Sequence, residues 1–190
     1  PATRIRALPG GELAAWTMEQ ALDAEARLPQ HLARVVTLAR FSGQRRGDLC
    51  GLTWAAYDGA SLRLRQSKTG ESLVIPCHPE LRAALDAWRA EDRHAVTILA
   101  NAWGRPWVPE VLSGAMKRAM TKIGMPGLNV HGLRKLAATA LADAGCTPHE
   151  IAAITGHRTL AMVDYYTRSR DQERLATRAI GRLQPATTKG

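Results

Sequence analysis

Leu62-Arg63-Leu64-Arg65-Gln66-Ser67-Lys68-Thr69-Gly70-Glu71-Ser72-Leu73-Val74-Ile75-Pro76 breaks the texture of a chain that otherwise reads as helical. Leu62 to Arg65 alternates apolar and cationic residues with the period of two of a half-buried strand, and Ser72 to Ile75 is a second short β-prone run. Lys68-Thr69-Gly70 and Pro76 bound these runs, so the stretch reads as an antiparallel hairpin whose turn carries Lys68. Outward from it, upstream, Leu13, Trp16 and Met18 begin a weak helical pattern after Gly10-Gly11. Leu32, Val35, Val36 and Ala39 follow at helical spacing after Pro29. Downstream, Pro79 introduces a helix through Leu81, Leu85 and Trp88, and Pro109 another through Val111, Leu112, Met116 and Met120 to Ile123, stopped by Gly124 and Pro126. Residues 131–144 read as a helix ended by Gly145, 148–154 as a short one ended by Gly156, and 159–166 as one more. The fold class is therefore α+β, mainly α, with one small antiparallel sheet.

Length and composition agree with that reading. A chain of 190 residues is one domain of ordinary size, or at most a large one with a small one. Aromatics make up 5% with a single Phe, so the core must come from Leu, Ala, Val and Ile, which favours helix. No run approaches the roughly 18 apolar residues of a membrane span, and the N-terminus lacks a signal pattern, so no membrane partner is expected. Cys50, Cys77 and Cys146 are too few and too scattered for a disulfide framework or a metal knuckle, and a reducing cytoplasm is the expected setting.

The net charge of +9 is unevenly spread. Lys and Arg exceed Asp and Glu by 4 over residues 37–70 and by 6 over 93–142, whereas 71–92 carries a charge of −3. The two basic blocks are expected to share a phosphate-binding surface, with 71–92 pointing elsewhere. Within them the only carboxylates are Asp48, Asp58 and Glu110, too few for two-metal phosphodiester cleavage, so neither a metal nor another cofactor is expected. Phosphate-cradling glycine loops and a nucleophile elbow are absent from the sequence, which leaves nucleotide and ester hydrolysis without an anchor.

What remains is a set of cations and a phenol. In Ser42-Gly43-Gln44-Arg45-Arg46-Gly47-Asp48-Leu49 a glycine turns the chain after a helix, and Arg45 is read as opening the next helix with Asp48 three residues on. A guanidinium there presents a fork to phosphate with an acid behind it. His131-Gly132-Leu133-Arg134 places imidazole and guanidinium on one helical face. Thr155-Gly156-His157 is followed by the adjoining Tyr165 and Tyr166, and a phenol acts as a nucleophile only where positive charge surrounds it and a base takes its proton.

Taken together, Arg45, Lys68, His131-x-x-Arg134, Gly156-His157 and Tyr166, in this order, strongly resemble the catalytic domain of the tyrosine recombinases, also called the phage integrase family. The resemblance runs from about Arg4 to Arg170. Arg6-Ala7-Leu8 with Glu12-Leu13 looks like the start of that domain, residues 42–54 like its first-arginine box, and Gln66-Ser67-Lys68-Thr69-Gly70 like its hairpin-lysine segment. It implies site-specific recombination without a cofactor, acting on double-stranded DNA. Tyr166 would attack the scissile phosphate to give a 3′-phosphotyrosyl link. Arg45 and Arg134 would hold the non-bridging oxygens, and His131 would accept the tyrosine proton. His157 would donate a hydrogen bond to the phosphate, Lys68 would protonate the 5′ leaving oxygen, and Asp48 would support Arg45. Arg46, Lys117, Arg118, Lys135 and Arg158 are the expected duplex contacts. Counting nine residues from His157, as the family does, selects Tyr166 over Tyr165.

Two departures stand out. Asp48 occupies a place where Glu is frequent, one methylene shorter, and Thr155 stands where Leu often precedes Gly-His, a change expected to affect packing more than chemistry. The resemblance further implies a homotetramer in the synaptic complex, a monomer or weak oligomer without DNA, and possible accessory DNA-bending or directionality proteins. Residues 1–184 would form the catalytic domain with a C-terminal packing helix and 185–190 a flexible tail, with an N-terminal core-DNA-binding domain lying outside this chain. Two other readings stay open. Leu141 to Ala152 by itself resembles a helix-turn-helix, hence a non-catalytic DNA-binding regulator, and a type IB topoisomerase would use similar chemistry.

Overall fold

Thr17, Asn129 and Thr147 each stand in extended backbone ahead of a helix and accept a hydrogen bond from an amide of its first turn, and Thr17 and Thr147 complete reciprocal capping boxes with Gln20 and Glu150. These caps set three of the helix starts in the computed structural model, which describes residues 15–92, 95–157, 163 and 180–181. Along the described chain run α1 (Met18–Arg27), α2 (Gln30–Ser42), α3 (Arg46–Gly51), a 3-10 turn (Trp54–Ala56), β1 (Ser61–Arg65), β2 (Ser72–Pro76), α4 (Pro79–Glu91), α5 (Pro109–Lys122), α6 (Val130–Asp143) and α7 (Pro148–Thr155). The mainly helical α+β reading holds, with one two-stranded antiparallel sheet among the described residues.

The hairpin pairs Leu62 with Ile75 and Leu64 with Leu73, so one face of each strand is apolar; Leu62 and Ile75 are fully buried. Its turn is closed by Gln66 N–H to Glu71 O at 2.8 Å and Gly70 N–H to Gln66 O at 2.8 Å, which leaves Lys68 exposed at the tip. Helix α2 is the axis of the core. Its Leu32, Val35, Val36, Leu38 and Ala39 are buried against α1 and α6, and α6 contributes Leu133 and Leu136. Leu81, Leu85 and Trp88 of α4 and Leu112, Met116 and Met120 of α5 fill the rest. Trp16, buried just ahead of α1, donates its indole N–H to Asn129 O at 2.8 Å and ties the start of the described chain to the start of α6.

The acidic segment is committed to structure. Glu91 and Asp92 clamp the buried Arg34, Glu80 lies 3.5 Å from Arg40, and Asp86 accepts the Tyr57 hydroxyl at 2.7 Å. One expected boundary is corrected: Arg45 does not open α3 but precedes it as the cap residue in extended backbone, because α2 ends at Gly43 in the left-handed region and the chain must turn before the next helix. The helix read at 159–166 and the C-terminal packing helix lie outside the described residues, apart from Val163, Ile180 and Gly181.

Candidate active site

Two helices end at the same place. Gly43 (φ +63) terminates α2 and Gly156 (φ +70) terminates α7, and the last carbonyls of both helices converge. Arg134, 2% exposed on α6, donates Nη1–H to Gly43 O at 2.9 Å and Thr155 O at 2.6 Å. A buried guanidinium needs compensating negative charge, and the carbonyl ends of two helix dipoles supply part of it. Leu133 and Leu136 pack into the core on either side, so α6 delivers Arg134 from a rigid element.

Beside it lies a buried pair of amides. Gln44 donates Nε2–H to Ser42 O at 2.8 Å and Ile154 O at 2.9 Å, and its Oε1 accepts from Gln66 Nε2 at 2.7 Å. Gln66, 1% exposed at the end of β1, donates further to Thr155 O at 2.8 Å. Gln66 Oε1 accepts from Arg45 Nη1 at 2.6 Å and from the Thr69 hydroxyl at 2.9 Å. Gly156 follows from this geometry as well as from its φ, since a Cβ there would lie 2.4 Å from Gln66 Nε2.

Asp48, buried on α3, accepts from the Ser67 amide at 2.8 Å and the Ser67 hydroxyl at 2.9 Å through Oδ1, so it holds the hairpin turn. Its Oδ2 is 3.9 Å from Arg45 Nη1, an electrostatic contact beyond hydrogen-bond length. The expected support of Arg45 by Asp48 is thus electrostatic, and the direct acceptor is Gln66.

The two histidines register the local charge. His131, exposed at the first turn of α6, is held below its ordinary 6.5 by partial burial and then by Arg134, Lys135, Arg45 and Lys68. His157 is buried and pushed down to about 4 by burial, then by Arg134, Arg45 and His131. Residues from four separate stretches of chain therefore share one electrostatic field. The Thr155 hydroxyl donates to Ile151 O at 2.7 Å and lies 2.7 Å from His157 Nδ1. A hydroxyl has one proton and a carbonyl only accepts, so in neutral His157 the ring proton sits on Nδ1 and is given to Thr155. The expectation that Thr155 matters mainly for packing is corrected: its hydroxyl orients His157 and its carbonyl holds Arg134 and Gln66.

The lowered histidines give a pH prediction. Unfolded histidine titrates near 6.5, so between about pH 4 and pH 6.5 the unfolded chain binds more protons than the fold, and stability rises with pH across that window. In the DNA-free protein the His157 imidazole is expected to stay neutral down to roughly pH 5. Imidazole NMR shifts followed against pH check this, and a midpoint at 6.5 would contradict the burial argument.

Of the other expected residues, Lys117 and Arg118 are exposed on α5, and Lys135 lies beside His131 on α6. Arg46 is apart from Arg45: its guanidinium bonds Ser113 and Glu110 Oε1 (3.0 Å), clasping α3 to α5. Arg158, Tyr165 and Tyr166 lie outside the described residues. Gln44, Gln66 and the hydroxyl of Thr155 join the site without belonging to the expected set of cations and phenol. A glutamine ending a strand that leads into a turn, with a glycine required elsewhere, was the only signal available.

The Phage integrase family model matches residues 13–173. The chain belongs to this family, the tyrosine recombinases. Among relatives of the chain is the tyrosine recombinase XerC of Mycobacterium sp. (strain KMS), 29% identical over 142 residues, which cover 70% of the chain and 47% of that protein. The chain thus spans about half the length of the curated relatives it matches. The catalytic core of lambda integrase superposes with a TM-score of 0.66 at 27% identity, covering 77% of this chain and 93% of that one. A lambda integrase tetramer bound to a Holliday junction superposes at 0.67 with 26% identity, covering 82% and 50%. The fold is that of a tyrosine recombinase catalytic domain.

Proposed function

We propose that this domain breaks and rejoins double-stranded DNA at specific sites, with Tyr166 as the nucleophile. The observation that carries the reading is the convergence of Arg45, Lys68, His131, Arg134 and His157 on one electrostatic centre beside the ends of α2 and α7. The phenolic oxygen of Tyr166 attacks phosphorus, the bond from phosphorus to the 5′ oxygen breaks, and the 3′ phosphate remains on the tyrosine. His131, kept neutral near pH 7 by partial burial and then by its cationic neighbours, takes the tyrosine proton, and Lys68 gives a proton to the 5′ oxygen. Attack by the 5′ hydroxyl of a partner strand reverses the step and releases the tyrosine.

Arg45 and Arg134 neutralise the non-bridging oxygens. His157 becomes a second donor to phosphate on taking up a proton: burial first and then the neighbouring Arg134 and Arg45 keep it neutral in the free protein, and a bound anion offsets the charge of those arginines. Exposed Lys117 and Arg118 on α5 track the duplex backbone, and exchange takes place between four catalytic domains, an arrangement supported by the lambda integrase tetramer on a Holliday junction. The helix-turn-helix alternative is weaker because the C-terminal end of α7 is built into the Arg134 site: Thr155 is fully buried there.

Covalent capture tests the proposal. Mixed with a nicked duplex carrying its own recombination site, found by selection from random duplexes, the protein is expected to form an SDS-resistant adduct at full rate in EDTA. A strict need for a divalent metal would contradict the mechanism.

A further inference from the structure

We infer that Gln66 is a positioning residue for strand cleavage, which sets the Arg45 guanidinium and locks it to the Arg134 half of the site. The inference rests on the function proposed above. Asp48 is a short acid whose free oxygen stops 3.9 Å from Arg45, so it attracts the guanidinium without fixing its direction. The fixed hydrogen bond is the one from Arg45 Nη1 to Gln66 Oε1 at 2.6 Å. A guanidinium is planar, so anchoring one nitrogen restricts where the remaining N–H groups aim.

Gln66 is itself held on every side. Its Oε1 also accepts from Thr69, in the turn that carries Lys68, and its Nε2 donates to Gln44 Oε1 and to Thr155 O. Thr155 O is the same carbonyl that receives Arg134 Nη1 at 2.6 Å. One amide therefore joins the first arginine, the hairpin turn and the second arginine, through bonds between residues 21 and 89 positions apart. The amide orientation is unambiguous, because its oxygen meets only donors and its nitrogen only acceptors. Four hydrogen bonds in a buried place leave it no other rotamer at comparable energy. Catalytic residues acting on one phosphate must keep their mutual geometry within a fraction of an ångström, and this network provides that constraint.

The test is a double-mutant cycle on adduct formation with the nicked native-site duplex at saturating concentration. Gln66→Leu is expected to slow cleavage at least tenfold with the half-saturating DNA concentration changed by less than about threefold. In an Arg45→Lys background, where no fork remains to be aimed, the same substitution is expected to cost less than about twofold. Gln44→Leu removes one of the bonds that hold Gln66 and leaves the Arg45 bond in place, so it is expected to lower Tm and to slow cleavage less than Gln66→Leu does. If Gln66→Leu does not fold, Gln66→Glu stands in: it keeps the acceptor for Arg45 and loses the donors to Gln44 and Thr155, so Tm falls and cleavage slows, and in the Arg45→Lys background that slowing is again expected to shrink to less than about twofold. Equal losses in both Arg45 backgrounds, measured with whichever Gln66 variant folds, would overturn the inference. An absence of adduct with the native protein would instead overturn the proposed function itself.

Discussion

Arg134→Ala is expected to abolish adduct formation and to destabilise the DNA-free protein by roughly 3 kcal/mol, whereas Arg134→Lys is expected to keep most of the stability and still lose cleavage by at least about a hundredfold. The two effects have different sources. In the fold, Nη1 satisfies Gly43 O and Thr155 O at the ends of α2 and α7, and truncation removes that donor from a place water does not reach. A buried carbonyl left without its donor costs about 1–3 kcal/mol, a loss that falls mainly on Gly43 O because Thr155 O keeps its bond from Gln66 Nε2, and the cavity left by the side chain adds to it. Lysine retains a positive charge and donors for those carbonyls, so the helix ends stay satisfied. It lacks the second arm of the fork, and one guanidinium cannot be replaced by a point charge where two phosphate oxygens must be held in a plane. Urea unfolding and adduct kinetics on the two variants separate the effects. Equal loss of stability in both would show that the carbonyl contacts are not what Arg134 contributes to the fold.

Gly156→Ala is expected to be nearly as damaging although it adds one methyl group. The residue sits at φ +70, where a side chain costs about 1 kcal/mol, and its Cβ would come within 2.4 Å of Gln66 Nε2 and 2.6 Å of the other amide atoms. Gln66 cannot swing aside without releasing Arg45, Thr69, Gln44 and Thr155 together. The predicted outcome is a loss of about 2–3 kcal/mol in stability and a large loss in cleavage. Combining it with Gln66→Ala relieves the clash, so part of the stability returns while cleavage does not. A double variant no more stable than Gly156→Ala alone would mean that φ strain, and not the collision with Gln66, dominates.

The hairpin was legible because its alternation of Leu and Arg is local, and so were the helix ends at Gly43, Gly124, Gly145 and Gly156, each of which has positive φ. The separate cations were legible as a set only through their order along the chain. What joins them was not. The bond between Gln66 and Thr155 spans 89 positions, that between Arg134 and Gly43 spans 91, and neither glutamine carries a periodic or motif signal that would mark it as buried. Thr155, at a place where Leu is frequent, was expected to affect packing more than chemistry; that its hydroxyl reaches His157 depends on how the chain leaves α7 through left-handed Gly156. Long-range polar contacts of this kind are set by the packing of α2, α6 and α7, which no short window of sequence contains.

The central claim is that this cationic centre serves a tyrosine attached through the Gly156-His157 segment. The most direct measurement is to digest the covalent adduct formed on the nicked native-site duplex and locate the nucleotide-bearing residue by mass spectrometry. The predicted result is a 3′-phosphate ester on Tyr166, with no adduct from Tyr166→Phe and an undiminished one from Tyr165→Phe. A nucleotide carried by any other residue, or an adduct that survives Tyr166→Phe, would contradict it.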